Sequence, residues 1–213
     1  MANIINEIKV LLVEGKDEEN FFAALLKHLT INDVQVSEVG GKDKFPNGLA
    51  AFLLTYGSQV RAYGIIRDAD RSREDAFKSV VNLLKKKGEP YPEKTGEYAE
   101  NKIRKVGVFI MPGNQDEGML EDLCLQTVAD HPVMACTEQY FSCLSATLDS
   151  ILLGQHKKQG SHYYPKNPSK AKAQAFLAGN HETFNSVGVA AHNGCWNFDH
   201  PVLTELKKFI QAL

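Results

Sequence analysis

Residues 8–22, IKVLLVEGKDEENFF, decide the fold. Ile8 and Val10 through Val13 make a short, nearly unbroken apolar run, the pattern of a strand covered on both faces. Glu14 closes that run on an acid, and Gly15 turns the chain. Asp17 and Glu18 then fall in the first turn of a helix, where carboxylates complement the dipole. A strand feeding at once into a helix opens an α/β unit, and open α/β sheets place ligands beyond the carboxyl ends of their strands. Glu14 is expected at that edge. Burying an unpaired carboxylate is costly, so an acid in this position calls for a cation, a partner or water.

Working outward, residues 17–30 carry Phe21, Phe22, Leu25, Leu26 and Leu29 at helical spacing, a stripe that should face the sheet. Val34, Val36 and Val39 read as a second strand ending at Gly40–Gly41, and residues 49–54 as a second helix stopping near Gly57. Residues 60–67, VRAYGIIR, form the third strand and run into Asp68-Ala69-Asp70. Ser72 and Glu74 then start a helix that reaches about Lys87. Residues 88–100, with Pro90, Pro92 and Gly96, read as a polar loop, and residues 105–112, KVGVFIMP, as the fourth strand. Helices are expected over 119–129, 132–148, 169–177 and 200–213, with a polar loop over 154–168 and an irregular segment around Gly188, Gly194 and Trp196. The alternation of strand and helix predicts an α/β fold, a mostly parallel four-stranded central sheet flanked by helices with a helical C-terminal extension. The expected division is an α/β core over 1–130 and an extension over 131–213 packed on it.

The 213 residues suffice for a substantial core, and 43% hydrophobic with 23% charged residues is an ordinary globular balance. No apolar run approaches the ~20 residues of a bilayer span, and no signal-peptide pattern precedes the first strand, so a cytoplasmic address and no membrane partner are expected. Cys124, Cys136, Cys143 and Cys195 lack metal-ligand spacing and are expected as buried thiols. The formal charge of −2 carries no global sign of a nucleic-acid partner. Locally, however, no acid lies between Asp149 and Glu182, while Lys157, Lys158, Tyr163, Tyr164 and Lys166 do. These five are the candidate nucleic-acid contacts, lysines for phosphates and tyrosines for stacking.

Acids follow three of the expected strands: Glu14 after the first, Asp68 and Asp70 after the third, and Glu117, Glu121 and Asp122 after the fourth. Parallel strands bring their carboxyl ends to one edge, where carboxylates repel and raise one another's pKa unless a cation intervenes. Hard oxygen ligands of this kind suit Mg²⁺ or Mn²⁺. On an extended exit from the strand, both members of the Asp-x-Asp pair would point the same way. The histidines show no H-E-x-x-H spacing and are read as loop or capping residues, although His192 could approach the site.

Leu11-Leu12-Val13-Glu14-Gly15 before a helix, followed by Ile65-Ile66-Arg67-Asp68-Ala69-Asp70, resembles the Toprim domain of primases, type IA and II topoisomerases and OLD-family nucleases, over residues 8 to about 122. The resemblance implies a Toprim-like, Rossmann-like core, with Glu14 in acid–base or metal-linked duty and Asp68 and Asp70 holding a divalent ion. Glu18, four residues after Glu14, and the segment Gly118-Met119-Leu120-Glu121 look closer to the OLD-like branch, in which such acids serve a second ion. A lysine from the C-terminal part is implied as well, with Lys170 and Lys172 as candidates. The implied activity is nuclease action on DNA or RNA with two Mg²⁺ or Mn²⁺ ions. OLD proteins carry an ATPase module, but no G-x-x-x-x-G-K-[ST] occurs here, so an ATPase partner would be a separate chain. A non-catalytic module binding metal, nucleotide or a partner is the alternative. Haloacid-dehalogenase-type phosphoryl transfer also uses Asp-x-Asp, but after its first strand, whereas here the pair follows the third and is trailed by Ser72.

Overall fold

The computed structural model describes residues 5–41, 44–154 and 164–213, the side chains of 149–154 excepted. β1 (Lys9–Val13), α1 (Lys16–His28), β2 (Val34–Glu38), α2 (Phe45–Tyr56), β3 (Ala62–Asp68) and α3 (Arg73–Lys87) follow in order. Next come β4 (Glu97–Glu100), β5 (Lys105–Met111), α4 (Leu120–Thr127) and α5 (Pro132–Gly154). After these lie α6 (Pro168–Ala178), α7 (Val187–His192), a 3-10 turn at Pro201–Leu203 and α8 (Thr204–Gln211). Helix α7 lies inside the segment expected to be irregular. The single helix expected over 200–213 is split because Pro201 and the His200 ring, which accepts the Val202 N–H, hold a tighter first turn.

The sheet has five strands in the order β2-β1-β3-β5-β4. The four expected strands pair in parallel, and β4 is an additional antiparallel edge strand on β5, from Glu97 opposite Val108 to Glu100 opposite Lys105. Its four residues sit in a stretch whose prolines and Gly96 read as loop. What makes it a strand is tertiary. The Tyr98 ring stacks on Phe209 of α8 at 4.7 Å and its hydroxyl donates to the Phe209 carbonyl at 2.9 Å. Gly107 leaves the room, since a Cβ there would stand 2.4 Å from that ring.

Side chains alternate across a strand, and the two cores follow from that alternation. Leu11, Val13, Ile66, Phe109 and Met111 face one core with Phe21, Phe22 and Leu25 of α1. Val10, Leu12, Tyr63, Ile65, Val108 and Ile110 face the other, with Phe45 and Leu49 of α2 and Val80 and Leu84 of α3. The C-terminal helices join the α1 side through Leu120, Phe176, Leu177, Val187, Leu206 and Phe209. Trp196, stacked on Phe176 at 5.4 Å and donating to the Val187 carbonyl, belongs to this packing. The connection leaving β1 runs to β2, whereas the one leaving β3 runs the other way, toward β5. The carboxyl ends of β1 and β3 therefore flank the point where strand order reverses, where such sheets open a crevice.

Local signals agree with the helix ends. Ser72 caps α3 by accepting the Asp75 N–H, and Lys85, Lys86 and Lys87 fill its last turn before Gly88, whose φ of +71° forms a left-handed cap. Among the cysteines only Cys124 is buried; Cys136 and Cys143 are exposed on α5 and Cys195 is intermediate, so the expectation of four buried thiols is corrected. An amphipathic α5 leaves one side to solvent, and that side carries both. Among the described residues no helix is long and apolar enough to cross a membrane.

Helix α7 seats on the first turn of α1 through Gly188, where a Cβ would come within 2.4 Å of the Asp17 carbonyl oxygen. Gly188→Ala, favourable by helix propensity alone, should therefore destabilise by overpacking at ~1–3 kcal/mol. A thermal melt should show a loss of several degrees, and an unchanged or higher Tm would contradict this packing.

Candidate functional site

The carboxyl edge is split between the two faces of the sheet. Asp68 follows Ile66 in the alternation and lies on the α1 and α4 side, where its Oδ1 accepts the Leu120 N–H at 3.0 Å, at the start of α4. Glu18 comes to it from α1 and Glu121 from α4, the latter buried. Burial raises the Asp68 carboxyl well above the usual carboxylate range, and the charges of Glu18, Glu14, Glu121 and Asp70 add to the rise. The Glu18 carboxyl is raised too, chiefly by burial and then by Glu121, Glu14 and Asp17. Glu14 and Glu18, Asp68 and Asp70, and Glu121 reach the edge from three separate stretches of chain.

Glu14 follows Val10 and Leu12 and lies toward the opposite face. It is buried, and its Oε1 accepts from Nε of the equally buried Arg67 at 2.7 Å. The Arg67 guanidinium also stacks over the Phe45 ring at 4.7 Å. Removing one partner of such a pair strands a buried charge at ~3–5 kcal/mol. Arg67 was missed as a site residue. The available signal was a cation one residue before Asp68, on the alternation that turns it away from Asp68 and toward Glu14.

Asp70 departs from the extended exit expected for the Asp-x-Asp pair. Its φ is +53°, a left-handed conformation that aspartate tolerates better than most residues. The cause is a two-way backbone bridge with Gly118, each N–H donating to the other carbonyl at 2.9 Å, which stitches the β3–α3 turn to the loop before α4. Gly118 reaches φ +128° there, and Asp122 caps the new helix by accepting the Met119 N–H at 2.9 Å. Glu117 in the same loop is exposed.

The two lysine candidates separate. Lys170 places Nζ 3.3 Å from Oε1 of Glu121. Burial pulls its ammonium down, but Glu121, Glu18 and Asp68 outweigh that and leave it raised. Lys172, two residues on, instead donates to both carboxylate oxygens of Glu138 on α5 at 2.8 Å, so its candidacy is corrected: the helix turns it away from the acids. Asn167, also missed, sets this register by accepting the Lys170 N–H, while its amide contacts Met119 Sδ at 3.4 Å. Of the five nucleic-acid candidates, Lys166 is exposed beside Asn167 at a cleft next to Asp70, and Tyr164 is half-buried. Lys157, Lys158 and Tyr163 lie outside the described residues. His192 lines a different groove, with His28 and Trp196.

Clustered carboxylates that raise one another's pKa are a donor set suited to a hard divalent cation. As placed, the side chains stop short of a finished cage: among the described residues no three His, Cys, Asp or Glu side chains form a group that could hold a metal ion. Glu14 is taken up by Arg67 and Glu121 by Lys170. The donors thus fit such an ion by chemistry, and no ion pair among the described residues takes up Asp68 or Glu18.

No curated protein matches the chain. Among solved structures it is similar to the C-terminal region of the Xanthomonas campestris pv. campestris OLD protein phased with iodine, at 14% identity and a TM-score of 0.49, over 98% of this chain and 97% of that one. It is also similar to the C-terminal region of the Burkholderia pseudomallei OLD protein, at 14% identity and a TM-score of 0.45, over 98% of this chain and 99% of that one. Residues 8–213 match the model of the family described as protein of unknown function (DUF3226), and the chain belongs to that family.

Proposed function

We propose that this protein is a Toprim-type, divalent-cation-dependent phosphodiester hydrolase acting on DNA or RNA. The observation that carries the reading is Asp68, a carboxylate at the strand-order reversal with Glu18, Glu14, Glu121 and Asp70 pressing on its charge. That much clustered negative charge is costly to fold without a cation, so its retention is best explained by one that binds. Asp68, Asp70, Glu18 and Glu121 are the residues that would hold Mg²⁺ or Mn²⁺. Two such ions, when bound, supply Lewis-acid activation of a water and of the leaving oxygen.

The chain's own groups have distinct work in this reading. Glu14 has one oxygen held by Arg67, which leaves the other to accept a proton from the attacking water. Lys170 neutralises Glu121 in the resting site and, in this reading, would stabilise charge building on the phosphorus oxygens. The Leu120 N–H keeps Asp68 oriented without using up its second oxygen. A separate ATPase chain remains the partner suggested by the motif resemblance. The alternative reading, a binding module without turnover, draws on the ion pairs that already occupy Glu14 and Glu121.

Purified protein should cleave plasmid or oligonucleotide substrates with Mn²⁺ or Mg²⁺, and Asp68→Ala or Glu14→Gln should reduce cleavage by at least ~100-fold, the scale of a lost catalytic acid–base group. Metal-dependent binding without cleavage on either polymer would favour the binding module.

Asp68 also predicts a stability signature. A carboxyl that holds its proton more tightly folded than unfolded destabilises the fold as pH rises from the unfolded carboxylate value through the raised folded one. In EDTA, Asp68→Asn should therefore melt higher than the parent at neutral pH, with the difference closing as pH falls into the ordinary carboxylate range. Mn²⁺ should raise the Tm of the parent more than that of the variant. A parent that outmelts the variant in EDTA at neutral pH would refute the strain.

Lys170→Ala should lower cleavage ~10- to 100-fold, whereas Lys172→Ala, giving up only its ion pair with Glu138, should leave turnover within a few-fold. Equal losses in steady-state assays would reject the separation of the two lysines.

A further inference from the structure

Beside the acidic edge lies an open cleft of about 650 Å³, between the β3–α3 turn and the start of α6, bordered by Arg67, Asp70, Arg71, Asp75, Lys166 and Asn167. We infer that this cleft is a phosphate-binding subsite, built on Arg67, that takes the phosphate neighbouring the one at the acidic edge, so that the substrate is a strand and not a mononucleotide. The inference rests on the hydrolase reading for what occupies the edge. The anion site itself rests on Arg67.

Arg67 is 7% exposed, and an arginine that deep normally has its five donors satisfied. Only Nε is used, on Glu14. Among the described residues the two terminal nitrogens have no hydrogen-bond partner and no sealed side-chain nitrogen or oxygen lacks one, so both keep solvent access, and Arg67 lines the cleft. Phe45 beneath the guanidinium and Glu14 at its Nε fix the plane. The fork that remains matches two phosphate oxygens, the recognition for which a planar guanidinium is suited.

The rim adds two cations to Arg67. Arg71 and Lys166 are exposed on the rim and form no ion pair within the described residues. The acids facing the cleft are Asp70, which belongs to the metal-binding edge in this reading, and Asp75, an exposed carboxylate in the first turn of α3. An anion in the cleft thus meets the Arg67 fork with Arg71 and Lys166 beside it, against the carboxylates of Asp70 and Asp75. A strand crossing from the edge to Arg67 would lie over Asp70 and under Lys166.

The test is equilibrium binding in EDTA, read by fluorescence anisotropy, of a labelled oligothymidylate of ~20 nucleotides and of its ribonucleotide counterpart across a salt series. Arg71→Ala and Lys166→Ala should each weaken binding ~3- to 10-fold at low salt and flatten the slope of log affinity against log salt by about 0.7 for each phosphate no longer neutralised. Arg67→Lys, which keeps a cation against Glu14 but removes the fork, should weaken binding while circular dichroism shows the fold retained. These losses with either polymer support the subsite. Variants that remain folded and bind both polymers like the parent overturn it. Cleavage by the same proteins with Mn²⁺ separates the two readings. Unaltered binding and cleavage in the variants would sink the subsite and leave the hydrolase, whereas the expected binding losses without any cleavage would keep the subsite and sink the hydrolase.

Discussion

Repulsion among carboxylates gathered at one sheet edge is the constraint around which the rest of this structure is arranged. Parallel strands deliver Glu14 and Asp68 to that edge, and two helices bring Glu18 and Glu121 to meet them. Each acid is accommodated differently. Glu14 is neutralised by Arg67 and Glu121 by Lys170, whereas Asp68 is steadied by a neutral backbone N–H. Those devices orient the acids without pairing all of them.

Strand alternation then gives the edge two sides. Arg67 and Asp68 are neighbours in sequence yet serve opposite faces, one reaching Glu14 and Phe45 and the other reaching α4. The bridge between Asp70 and Gly118 closes the gap between the loops that follow β3 and β5, and it fixes the start of α4 against Asp68.

The C-terminal helices are part of the site's construction. Phe176 and Leu177 of α6 are buried in the core shared with α1 and α4, and Asn167 at the head of α6 contacts Met119. That contact sets Lys170 against Glu121. Phe209 of α8 holds Tyr98 and so turns a proline-flanked loop into the fifth strand.

The sequence by itself determined the four parallel strands, the helices between them, and the acids at their ends. Those rest on local information: apolar runs, helical spacing, caps and turns that each residue's neighbours settle. Lys170 and Lys172 show where that information stops. Nothing local distinguishes two lysines two residues apart, and only the docking of α6 sends one to Glu121 and the other to Glu138. The same holds for Arg67, whose value lies in a partner 53 residues away, for Asp70, whose backbone is set by Gly118, and for β4, which exists because α8 grips Tyr98. Contacts between distant segments made those choices, because a side chain's partner depends on which surfaces the fold brings face to face.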